Sequence, residues 1–77
     1  MRTLLLREDL RTVVALAGTA EDVLILDAAG KDLQKAGILC LIQGSLTIAL
    51  EVFSADASRA RELLAMNPAN RRLIVND

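Results

Sequence analysis

The chain reads as a small α+β domain, a two-layer sandwich of helices on a sheet, and three observations predict it. Apolar residues recur at helical spacing in two stretches, and they alternate with polar ones at strand spacing around Leu46–Val52. The dipeptide Gly44-Ser45 separates two apolar runs in the manner of a hairpin turn. The third is composition: 53% hydrophobic residues with Phe53 as the one aromatic, which calls for a core of Leu, Ile, Val and Ala.

Taken in order, "RTLLL" at the start suits a first strand, although its leucines could equally extend the helix that follows. That helix is expected from Leu6, Leu10, Val13, Val14 and Ala17, which share one face while Arg7, Glu8, Arg11 and Thr12 turn away; Gly18 would end it. "VLIL" over Val23–Leu26 is short, branched and flanked by acids, which predicts a buried strand. Gly30 and Gly37 bracket a short helix with Leu33 and Ala36 on its apolar side. "ILCLIQ" and "LTIALEVF" then form the hairpin, its two-residue turn at Gly44-Ser45. Residues 38 to 42 and 46 to 53 pair antiparallel.

A second helix follows, with Ser54 or Asp56 as its N-cap, Ala57, Ala60, Leu63 and Leu64 on its apolar face and Pro68 beyond its end. "RRLIVND" reads as a last strand. This order favours a ferredoxin-like arrangement, with the short helical segment as an insertion, in a single domain spanning 1–77.

One stretch supports a rival architecture. In "LQKAGILCLIQGSLTIALEVF", Leu33, Gly37, Cys40, Gly44, Ala49 and Phe53 stand where a tetratricopeptide motif has its large residue, small residue, tyrosine, glycine, alanine and aromatic. The segment resembles that family, and the resemblance implies an all-α chain of helical hairpins meeting at Gly44-Ser45, serving as a peptide binder or secretion chaperone. It departs from the pattern at Asp56 and Arg61, and no second repeat appears, although such repeats need about three neighbours for stability. The β-branched Ile38, Ile42, Thr47, Ile48 and Val52 decide for strands.

The signatures of chemistry fail one by one. "DAAGKD" places a glycine and lysine before a helix, but a phosphate loop would need glycine at Ile25 and a hydroxyl at Asp32. "VLILD" is similar to the strand that ends in the phosphorylated aspartate of response-regulator receiver domains, yet the acidic pair expected after a first strand is missing, so Asp27 reads as a helix cap. Glu21, Asp22, Asp27 and Asp32 lack the alternation of a calcium loop, and with no histidine there is no ordinary base for a nucleophile. Cys40, flanked by leucines, reads as a small hydrophobe. No catalytic, cofactor or metal residue is expected, and the chain is not expected to be an enzyme.

The remaining expectations concern surfaces. Arg59, Arg61, Arg71 and Arg72 make the C-terminal third basic, but nucleic acid binding would add aromatic platforms and the net charge is −1. Arg59, Arg71 and Arg72 are therefore candidates for the rim of a protein interface. Ala36 to Leu50 carries no charge, yet Gln43, Gly44, Ser45 and Thr47 interrupt it well short of the roughly 20 apolar residues a membrane span needs. Arg7, Glu8 and Asp9 interrupt any leader at the start, and a lone thiol suits the cytoplasm. Since "ILCLI" is apolar on both faces and the helices can cover only one, either Leu39 and Leu41 or Ile38, Cys40 and Ile42 must meet a partner. The expected function is a non-enzymatic protein-interaction module, a cytoplasmic adaptor, inhibitor or regulator that works as a homodimer or on a larger protein, with Leu39 and Leu41 at the contact.

Overall fold

The computed structural model describes residues 10–75. They form a small α+β domain in which two helices pack on a three-stranded antiparallel sheet. Strand β1 (Arg11–Ala17) leads to helix α1 (Ala20–Lys35). The hairpin of β2 (Cys40–Gly44) and β3 (Ile48–Phe53) follows, then a 3₁₀ turn (Ser54–Asp56), helix α2 (Ala57–Ala65) and a 3₁₀ segment (Pro68–Leu73). The strand order is β1-β3-β2, so β3 is central and both of its ladders are antiparallel.

The expected hairpin and α2 form, the hairpin strands covering Cys40–Gly44 and Ile48–Phe53 in place of 38–42 and 46–53, and the helical-hairpin alternative does not occur. Along β3, Ile48, Leu50 and Val52 turn toward the helices, and Leu50 and Val52 are buried. The turn is one residue longer than expected. Gly44 pairs with Ile48, and Ser45, Leu46 and Thr47 form the loop. Gly44 has φ +135°, a conformation side chains rarely adopt, and a Cβ there would run into the carbonyl oxygen of Thr47.

Three expectations are corrected. Residues 11–17 are a strand, not the end of a helix. The register slips between Val13 and Ala15, so Val14 and Ala15 are both buried, and this bulge breaks the period of two that would have marked a strand. The segment Val23–Leu26 is not a strand; it and the short helix after it are one 16-residue helix, α1. Thr19 caps that helix, its hydroxyl accepting from the amide of Asp22 at 3.1 Å, and Glu21 and Asp22 complement the positive end of the helix dipole. Leu26, Ala29, Gly30 and Leu33 make its buried stripe.

At the C-terminal end of α1, Gly37 (φ +84°) donates to Gln34 and Ile38 donates to Leu33, the double bond of a Schellman motif, with Ile38 and Leu33 both buried. The third correction concerns "RRLIVND". Most of its described part is 3₁₀ helix, and only Ile74 bridges to Ala15 on the free side of β1, where the amide of Val75 also donates to Val14. The "RTLLL" segment lies outside the described residues.

The core is aliphatic, as composition requires: Val14, Leu26, Leu33, Ile38, Leu50, Val52 and Leu64 are its largest fully buried side chains. It lies between the sheet and the two helices. The opposite face of the sheet carries no helix among the described residues.

Candidate functional site

Strand β2 shows which way its side chains point through its contacts with α1. The Cys40 thiol donates to the carbonyl of Gly30 at 3.5 Å, and Ile42 lies against the same glycine. Cys40 and Ile42 therefore face the helices, and the alternation of a strand sends Leu41 and Gln43 to the other side. Leu39, just before the strand, is 69% exposed and Leu41 is 40% exposed, whereas Ile38 is buried. Of the two sets that could have faced outward, the structure exposes Leu39 and Leu41.

Around them the open face has a polar centre and an apolar surround. Glu51, opposite Leu41 on one side and Val13 on the other, forms an ion pair with Arg11 (3.4 Å) and accepts from Gln43 Nε2 (2.9 Å). Leu16 and Phe53 extend the face along β1 and β3, and a shallow hollow of about 120 Å³ opens between Arg11, Leu39, Leu41 and Phe53. This network satisfies its own charges, so the face presents no net charge to a partner.

Strand β2 is also exposed on its helix-facing side. Ile42 is 39% exposed although it points toward α1, because no strand lies on the outer side of β2 among the described residues. A second hollow, of about 220 Å³, runs between that edge and α1, lined by Asp27, Gly30, Lys31, Gln34 and Ile42. The hairpin tip adds Leu46, 92% exposed.

The arginines are scattered, and three of the four hold backbone carbonyls. Arg59 donates to the carbonyl of Ala36 at the end of α1 (3.1 Å), Arg61 to Val75 (2.8 Å) and Arg71 to Ala65 at the end of α2 (3.0 Å), where cationic donors complement unpaired carbonyls. Arg72 reaches Asp22 in the first turn of α1; the contact is an ion pair and not an aligned hydrogen bond. Each of these four side chains has a contact within the fold, and they reach different elements.

Asp27 and Lys31 pair with each other on α1 (3.5 Å). Among the described residues no group of three or more His, Cys, Asp or Glu could hold a metal ion, and no helix is long and apolar enough to cross a membrane. Burial pushes the Cys40 thiol above its usual pKa, with a hydrogen bond from Gln34 acting in the opposite direction. A thiol held protonated is a poor nucleophile.

From sequence, Ile42 stood only as the alternative to Leu39 and Leu41; exposure of both sides of the strand, and the hollow beside Ile42, were not expected. The signal was present in the uncharged, proline-free "CLIQG", but its location at the edge depends on the strand order. Comparison with protein-family models, with characterised proteins and with solved structures finds no match for this chain.

Proposed function

We propose that this chain is a non-enzymatic protein-interaction module, a small cytoplasmic adaptor, inhibitor or regulator, that works as a homo-oligomer held through the apolar surface of β2. One observation carries the reading: Leu39, Leu41 and Ile42 are all substantially exposed along one strand and its approach, on both of its faces. Apolar side chains gathered this way on a small soluble fold commonly mark an association surface. A second copy is the favoured occupant because Arg11 is balanced by Glu51 beside β2, so another copy can approach the strand without like-charge repulsion.

The fold is proposed to be ferredoxin-like. Support comes from the strand order β1-β3-β2, from the all-antiparallel ladders, and from Ile74, which bridges to the free side of β1 where a fourth strand would lie.

The test is light scattering across a concentration series, with Leu41→Asp as the variant. Leu41 sits on the open face, so its replacement should leave helix content unchanged while dissociating the assembly. A wild-type chain that stays monomeric at high concentration would remove self-association; binding to a larger protein would then have to account for the exposed leucines.

A further inference from the structure

We infer that two copies join through the outer edges of their β2 strands, antiparallel about a two-fold axis at Ile42, so that two three-stranded sheets become one of six strands. This rests on the self-association proposed above and specifies how it occurs.

The two edges of the sheet are treated differently. β1 bulges at Val14 within its ladder with β3, and its outer edge is covered by the bridge to Ile74 and the hydrogen bond from Val75. Among the described residues the outer edge of β2 has neither. In an antiparallel ladder alternate residues direct their N–H and C=O groups to each side, so β2 presents a row of backbone donors and acceptors that no described strand receives. Its sequence, Cys-Leu-Ile-Gln-Gly, has no lysine, no proline and no charge, the devices by which edge strands normally resist pairing.

The register follows from the side chains. An axis at Ile42 sets Ile42 beside its counterpart on the helix-facing side, and Leu41 beside the other copy's Gln43 on the open side. The hollow between the β2 edge and α1, lined by Asp27, Lys31, Gln34 and Ile42, is where the incoming isoleucine would lie. The helices supply the argument for a second copy over an unrelated strand. Asp27 and Lys31 lie on the stripe of α1 that borders the β2 edge, and both are more than half exposed. An antiparallel copy of α1 brings Asp27 opposite Lys31 and Lys31 opposite Asp27, so that charge, register and backbone pairing are all self-complementary.

The experiment uses the full chain. In a Cys40→Ser background, Ile42→Cys is oxidised with copper phenanthroline and read by intact mass, with Leu41→Cys as comparison. Directly opposed residues have Cβ atoms about 4.5–5.5 Å apart, while Leu41 and its symmetry mate are diagonal neighbours about 7–8 Å apart. The Ile42→Cys chain should therefore cross-link nearly completely and Leu41→Cys far less. A charge exchange that leaves the fold alone gives a second readout. Lys31→Asp should weaken the dimer several-fold in light scattering, and adding Asp27→Lys should restore it. A wild-type dimer in which Leu41→Cys cross-links better than Ile42→Cys, or in which the double exchange restores nothing, overturns the edge pairing and leaves self-association standing. A wild-type monomer at every concentration overturns both.

Discussion

Gly30 lies in the interior of α1, where glycine costs about 0.8–1.0 kcal/mol relative to alanine through the backbone freedom it loses on folding. Whether alanine can recover that energy depends on the space beside it. A Cβ at Gly30 would stand 3.4 Å from Ile42 Cδ1 and 3.6 Å from Cys40 Sγ and Leu50 Cδ1, all ordinary van der Waals contacts with the ends of side chains. Gly30→Ala should therefore stabilise the fold by about 1 kcal/mol, which for a domain of this size raises the melting midpoint by roughly 4–8 °C. The same substitution at Gly44 should act in the opposite direction. There φ is +135° and the methyl meets backbone that cannot yield by a rotamer change, so a loss of about 1–3 kcal/mol is expected. Urea unfolding followed by circular dichroism measures both, at one protein concentration because self-association adds to apparent stability. A lower midpoint for Gly30→Ala would refute the reasoning, since it would mean that the Gly30 site is already packed to its limit.

Thr19→Ala should cost about 1 kcal/mol in the same assay, because the Asp22 amide loses its cap. Arg71→Ala and Arg72→Ala should both leave the fold intact, with at most about 1 kcal/mol lost, and the larger and more salt-sensitive loss should fall on Arg72, whose removal strips Asp22 of its counter-ion. Cys40 should alkylate slowly at neutral pH and faster as pH rises, more slowly throughout than in urea-unfolded chain; equal rates would show that its thiol is not shielded. Because the folded thiol has the higher pKa, its contribution to stability is complete below the unfolded value and is lost as pH rises toward the folded one.

The helix α1 shows why local reading failed where it did. Its cap was legible, since Thr19 followed by Asp22 is a helix-start pattern, and Val23, Leu26, Ala29 and Leu33 keep helical spacing. Gly30 obscured it by looking like a terminator. That glycine is tolerated because Cys40, Ile42 and Leu50 pack against it, and those partners come from the hairpin. Likewise the β1 bulge moved Val14 and Ala15 to the same side, which imitated a helical face, and the bulge exists only in the pairing with β3.

The sequence by itself determined the aliphatic core, the α+β class, the β2–β3 hairpin and α2, because each rests on the period of apolar residues within one short segment or on composition. It also determined that "ILCLI" would have more apolar surface than its own helices could cover. Only the tertiary structure decided that β2 lies at the edge of the described sheet, that Leu39 and Leu41 rather than Ile38 lie in the open, and that the arginines are bound to separate parts of the fold. Strand order and helix placement set these, and they join residues far apart in the chain whose local patterns are the same whichever neighbour they meet.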